Sequence, residues 1–173
     1  MKLTIDIVLA LVVAQRLIEI VYAERNTRAL RARGAIEVGR AHYPLIVLLH
    51  AAWLAAIVIL IPDDATIHWP AMALFVLLQL GRVWVIATLG PYWTTRIITL
   101  PGAPLIRSGP YRFVRHPNYL VVAGEIAALP MAFGEVNVAI VFTLLNAAML
   151  GWRIRQEDAA LAVRRAGESS TPT

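Results

Sequence analysis

The sequence predicts an all-α fold, an integral membrane helical bundle of about five transmembrane helices that runs on into a cytosolic C-terminal helix. Three observations carry that expectation. Of the 173 residues, 59% are hydrophobic and 16% charged, with a mean hydropathy of +0.67, which is more apolar surface than a water-soluble chain of this length can cover. Apolar runs recur at the roughly 20-residue length that crosses a hydrocarbon layer of about 30 Å. The cations gather in alternate connections between those runs, the asymmetry that fixes orientation in a bilayer. No separate soluble domain fits, so residues 1–173 read as a single membrane domain.

The first run, residues 3–23, has a basic start but no small-residue cleavage site, and Gln15, Arg16 and Glu19 interrupt it. It therefore reads as a retained helix rather than a removable signal. Asp6, Arg16 and Glu19 serve pairing between helices, and Arg16 can meet Glu19 at i,i+3. The second run, 43–61, contains His50, and the connection after it, 62–68, ends on His68 and has no lysine or arginine. Neither histidine belongs to a ligand set, so no metal is expected. The third run is 69–89 and carries Arg82. The fourth and fifth, 119–133 and 136–152, are short and separated only by Gly134 and Glu135, which predicts a tight helical hairpin.

Five arginines lie between Glu24 and Arg40, four between Gly90 and Asn118, and four from Arg153 onward, so 13 of the 16 basic residues share one side. The positive-inside rule makes that side cytosolic, with the N-terminus outside and the C-terminus inside. This asymmetry accounts for the pI of about 10.2, so nucleic acid is not an expected partner, whereas anionic membrane lipids are. There is no cysteine, which excludes disulfides, thiolate nucleophiles and cysteine-held metals. Residues 167–173 read as a disordered tail.

Chemistry concentrates in the segment Gly109-Pro110-Tyr111-Arg112-Phe113-Val114-Arg115-His116-Pro117-Asn118-Tyr119. Polar and cationic groups stand there immediately before an apolar helix. Pro117 suits the first helical turn, with His116 near the cap and Tyr119 on the same face at i,i+3. The plain alternative is a cytosolic helix cap with anchoring aromatics and arginines. After the fifth run, Arg153 and Glu157 share a helix face at i,i+4, and the alternative there is a solvated helix end with snorkelling side chains. Glu125 is a carboxylate at membrane depth, which faces a cavity or pairs with a buried arginine such as Arg82 or Arg16.

Gly-Pro-Tyr-x-x-x-Arg-His-Pro-x-Tyr, a short span, and then Arg-x-x-x-Glu-Asp on the last helix together resemble the isoprenylcysteine carboxyl methyltransferase family, small membrane enzymes that use S-adenosyl-L-methionine. The likeness covers about residues 103–161. The N-terminal Arg-Asn, His-Tyr-Pro and Trp-Thr-Thr-Arg segments resemble a bacterial branch, some of whose members are encoded beside type III polyketide synthases. That branch implies a bacterial inner membrane. Carried onto this chain, the resemblance implies cofactor contacts at Ala103, Pro104, Leu105 and Ile106, at Tyr111, at His116, Pro117, Asn118 and Tyr119, and at Glu157, all within a cofactor-binding half of about residues 90–166. Arg153 falls on the substrate-facing arginine. The chain departs from the family where Arg96 replaces a glutamine that binds cofactor in some members, where Asp158 replaces a second glutamate, and after Leu161, where a tyrosine-containing extension is missing.

What this implies is an O-methyltransferase acting on a carboxylate or acidic hydroxyl of a lipophilic acceptor, prenylcysteine-like or alkylated-polyketide-like, that enters from the bilayer while the cofactor enters from the cytosol. Tyr111, Tyr119, Leu105 and Ile106 can sandwich an adenine, and Arg153 can orient an anionic oxygen. Transfer of a methyl group from a sulfonium to an oxyanion destroys charge, so a dry pocket favours it. An acidic acceptor is expected because no dedicated base is evident. Two other readings stay open: an NADPH-dependent membrane reductase of the sterol and steroid type, which shares an Arg-His-Pro-x-Tyr segment, and a non-catalytic membrane lipid-binding protein. An alanine- and glycine-containing face on several runs serves packing within one bundle as readily as dimerisation.

Overall fold

The structure, a computed structural model, describes residues 2–103 and 105–169. Five helices account for most of it: α1 (Lys2–Ala32), α2 (Tyr43–Leu60), α3 (Trp69–Leu89), α4 (Pro117–Ala132) and α5 (Val136–Ser169). Between them lie three short 3-10 turns and two strands, β1 (Ile36–Val38) and β2 (Ile97–Thr99), paired antiparallel with Glu37 opposite Ile98. The strand pair was not legible in the sequence, because three β-branched or charged residues on each side are too few to show a period of two.

Local chemistry sets the helix ends. Pro70 and Pro117 each occupy the first turn of their helices, where a missing N–H costs nothing. At the far end of α4 the chain turns on Gly134 at φ +84°. There Gly134 N–H bonds Met131 O at 3.2 Å and Glu135 N–H bonds Pro130 O at 2.9 Å, the paired bonds of a Schellman cap. This closes the expected hairpin between α4 and α5. The last helix does not stop at the apolar run but continues through Gly167 to Ser169, so residues 167–169 of the expected disordered tail are helical; residues 170–173 lie outside the described residues.

By length and composition, the segments Tyr43–Leu60, Trp69–Tyr92 and Val136–Ala160 can cross a membrane. The remaining two expected spans are special. α4 has 16 residues, about 24 Å of helix, and is the centre of the bundle, with ten of those residues buried. α2, by contrast, buries only Trp53 and Ile57 and leaves Leu48, Val58 and Ile59 exposed, as a lipid-facing helix does. The core joins Ile5, Leu9 and Val12 of α1 to Trp53, Phe75, Val122, Ile126 and Leu129. α3 and α4 approach closely at Gly124, where a β-carbon would sit 2.7 Å from Leu78 Cδ1.

α1 is interrupted by charges because those charges are answered from inside. Glu19 receives the Arg82 guanidinium through Nε at 2.7 Å and Nη2 at 2.6 Å, and Arg16 at 3.2 Å. Glu125 receives Arg16 Nη2 at 2.8 Å, Arg82 Nη1 at 2.9 Å and Gln79 Nε2 at 2.7 Å. Both arginines named as possible partners of Glu125 therefore hold it. Two cations and two anions cancel in a cluster that ties α1 to α3 and α4, and each buried charge is paired and hydrogen-bonded, as an apolar surround requires.

Candidate functional site

The segments flanking α3 and α4 close around a cavity of about 510 Å³, inside the range of roughly 300–1,000 Å³ for small-molecule sites. One wall is α4 and α5. Arg153 reaches it from α5 and is 6% exposed, so it does not snorkel. Its Nη2 donates to Thr95 O at 3.0 Å and its Nε to the Tyr119 hydroxyl at 3.3 Å. That hydroxyl donates in turn to Glu157 Oε2 at 2.5 Å. The pair expected at i,i+4 is thus bridged by a tyrosine from another helix, which fixes both side chains. Arg153 Nη1 takes part in neither of these two bonds.

His116 stands at the N-cap position of α4, yet its side chain makes no capping bond. The ring instead stacks on Tyr119, with centroids 5.3 Å apart and planes at 20°. Its Nδ1 lies 3.7 Å from Glu157 Oε2 and its Nε2 3.6 Å from Asp158 Oδ1. The face predicted for His116 and Tyr119 is therefore real, but it is turned into the cavity rather than spent on the helix end.

The other wall comes from irregular chain. Ala103, Leu105 and Ile106 line it, as do Tyr111 and Asn118. Pro104 lies outside the described residues. Pro117 is buried at the start of α4 and does not line the cavity. Burial and then the nearby Glu157 carboxylate push the Tyr111 phenol above its ordinary value, so it stays protonated. Gly109 permits the turn that presents Tyr111: it has φ +54°, and a β-carbon there would clash with Thr88 Oγ1.

In the segment from Trp93 to Leu100, which apart from Thr95 lines the cavity together with Leu30 and Leu89, sequence reasoning weighed Arg96 against a cofactor-binding glutamine of the family but assigned no contact to the others. Thr95 acts through its backbone carbonyl, which no side-chain pattern reveals. Arg96 lines the cavity too, held by Glu37 at 2.8 Å and lying over the Tyr43 ring at 3.9 Å. Glu37 also takes Arg31. Its carboxyl would rise on burial, but the hydrogen bonds and charges of Arg96 and then Arg31 hold it below its ordinary value of 4.5. The β1–β2 pair is what brings this acid to the cavity margin.

The lining contains unmet hydrogen-bonding capacity. Among the described residues five buried side-chain polar atoms lack a hydrogen-bond partner, and three of them, Trp93 Nε1, His116 Nε2 and Asn118 Oδ1, belong to residues of this cavity. Unpaired buried donors and acceptors are rare. No group of three or more histidine, cysteine or acidic side chains that could hold a metal occurs among the described residues.

Residues 71–163, more than half of the chain, match the model of the isoprenylcysteine carboxyl methyltransferase family. The uncharacterized protein YpbQ of Bacillus subtilis is 36% identical over 159 residues, covering 90% of this chain and 95% of that protein. An uncharacterized protein of Haemophilus influenzae is 29% identical over 165 residues, covering 92% and 96%. No solved structure matches the chain at a significant level.

Proposed function

The chain belongs to the isoprenylcysteine carboxyl methyltransferase family, and from that premise we propose that this membrane protein is an S-adenosylmethionine-dependent O-methyltransferase for a carboxylate or acidic hydroxyl of a lipophilic acceptor. The observation that carries the reading is the row Arg153, Tyr119 and Glu157 on one cavity wall, with His116 stacked against it.

The residues fit the cofactor. His116 and Asn118 line the cavity with polar side chains, Tyr111, Leu105 and Ile106 offer apolar and aromatic surface, and Glu157 is an acceptor for hydroxyl or amino groups. S-adenosylmethionine supplies an electrophilic methyl group when bound. The chain's own residues do the rest. Arg153 Nη1 donates a charge-assisted hydrogen bond that holds the acceptor oxygen ionised and oriented. The Tyr119 hydroxyl, fixed between Arg153 and Glu157, keeps that guanidinium from rotating. Leu100, Leu105 and Ile106 exclude water, which strengthens the charge interactions inside. An acceptor that is already acidic needs no base, in keeping with a cavity whose carboxylate, Glu157, is engaged by a tyrosine.

The acceptor would enter from the bilayer and the cofactor from the cytosol, with the arginine-rich connections cytosolic in an inner membrane. Equilibrium binding to detergent-purified protein tests the activity: S-adenosylhomocysteine is expected to bind and NADPH to fail. Binding of NADPH alone would replace this reading with a reductase, and binding of neither would leave a lipid-binding protein.

A further inference from the structure

Two arginines of this chain are equally buried and unequally answered. Arg82, 7% exposed, is paired with both Glu19 and Glu125. Arg153 is as deeply set and lines the cavity, yet no carboxylate of the described residues lies within ion-pair distance of it. Its Nη2 and Nε are given to neutral oxygens, Thr95 O at 3.0 Å and the Tyr119 hydroxyl at 3.3 Å. A buried cation without a counter-ion is costly, so the two oxygens that hold this guanidinium fix where the cavity meets an anion.

The Thr95 carbonyl is itself held from outside the cavity. Its segment is anchored at both ends: Asn26 Nδ2 donates to Trp93 O at 2.9 Å and to Gly90 O at 3.1 Å, and Ile97 pairs with Val38 of β1. Between these anchors stands Tyr43, on the first turn of α2 and not itself a lining residue of the cavity. Its hydroxyl shares a hydrogen bond with Thr95 Oγ1 at 3.1 Å. Its ring lies beneath the Arg96 guanidinium, 3.9 Å from the centroid, a cation–π contact, and Glu37 takes Arg96 at 2.8 Å. The carbonyl that Arg153 meets belongs to the rigid peptide plane joining Thr95 to Arg96. Tyr43 thus grips the residue at either end of that plane.

We infer that Tyr43 is a positioning residue: gripping the Thr95–Arg96 peptide from outside the cavity, it sets the direction of the Thr95 carbonyl and, through that carbonyl, the place of the Arg153 guanidinium. The inference deepens the proposed function and rests on it for the anion that Arg153 meets. The geometry of the hold does not depend on that anion.

The test uses the full chain in detergent. Tyr43→Phe keeps the ring beneath Arg96 and removes the hydroxyl, and Thr95→Val removes that hydroxyl's partner while keeping the carbonyl. In 15N–1H spectra the Arg153 Nε–H, identified by its absence from Arg153→Lys, is expected to exchange with water roughly 2- to 10-fold faster in either variant than in wild type. The Trp53 indole N–H, bonded to Ile126 O in the core, is expected to keep its wild-type rate. Thr95→Ser, which restores a hydroxyl, slows the Arg153 exchange again, and Tyr43→Phe combined with Thr95→Val adds nothing to either alone. One variant decides the matter where the other fails to fold. An Arg153 rate that neither variant changes overturns the inference, as does equal acceleration of Arg153 and Trp53, which reports lost stability rather than lost position. Failure of wild type to bind S-adenosylhomocysteine overturns the methyltransferase reading alone, because the Arg153 exchange rate is read without ligand.

Discussion

Glu125→Ala probes the buried charge cluster most directly. Arg16 and Arg82 are balanced by Glu19 and Glu125, so the substitution leaves one positive charge uncompensated among helices. It also strips hydrogen bonds from Arg16, Arg82 and Gln79. Breaking a buried pair on one side costs about 3–5 kcal/mol, and a chain of this length loses roughly 2–4 °C of Tm per kcal/mol, so Tm is expected to fall by about 6–20 °C. Glu125→Gln keeps the shape and an acceptor but not the charge, and Arg16→Gln added to it restores neutrality. The double variant is therefore expected to be more stable than the sum of the single losses allows, with a coupling of about 0.5–3 kcal/mol. Reversible unfolding in detergent micelles, followed by near-ultraviolet circular dichroism, measures both quantities. A Glu125→Ala protein within about 1 kcal/mol of wild type, or single losses that simply add, would refute the claim that compensation of charge holds α1 to the bundle.

On α5, Arg153→Ala is expected to lower kcat/KM for an acidic acceptor while leaving S-adenosylhomocysteine affinity within about threefold, whereas Glu157→Ala chiefly weakens cofactor binding; Arg153→Lys does not restore activity, because an ammonium lacks the planar fork, and normal methylation by both alanine variants removes this helix from the site. Gly109→Ala places a β-carbon against Thr88 at a positive φ and is expected to cost about 1–3 kcal/mol of strain, read as a lower Tm; an unchanged Tm contradicts the turn described. The carboxyl of Glu37 is depressed in the folded chain, so its contribution to stability is complete above its unfolded pKa and is lost as the pH falls through the lower folded value. Glu37→Gln is expected to flatten that acid limb of the Tm profile, and a profile identical to wild type would show the carboxylate to be unimportant. Single cysteines at Ala32 and Asp64 report orientation, since impermeant reagent applied outside is expected to label the second and not the first, and labelling of the first from outside reverses the proposed topology.

The helices were legible in the sequence because lipid imposes a simple demand. Every backbone polar group must be met within its own segment, so an apolar run of sufficient length has few alternatives to a helix. Residues 43–61 and 69–89 accordingly became α2 and α3 within a residue. Two-residue spacing between the fourth and fifth runs left only a hairpin, and Gly134 supplied its turn. The candidate residues from Ala103 to Glu157 were legible by a different route: motif order, which tells which side chains recur together but not what they touch.

Tertiary structure decided the rest, for reasons of distance. The charges of α1 could be suspected of pairing, yet only the packing of α3 and α4 beside α1 showed that Arg82 serves both carboxylates. Arg153 and Glu157 could be assigned to one face, but the tyrosine hydroxyl that links them comes from α4, 34 residues earlier than Arg153. Thr95 contributes a carbonyl, Trp93 an N–H left without a partner, and Glu37 a carboxylate delivered by a strand pair of three residues. None of these leaves a periodic trace, because a single backbone atom or a single well-placed side chain has no pattern to repeat. The sequence by itself determined a membrane bundle and the family it resembles; the meeting of distant segments at one cavity determined which side chains stand together there, since hydrogen-bond satisfaction is a property of neighbours in space.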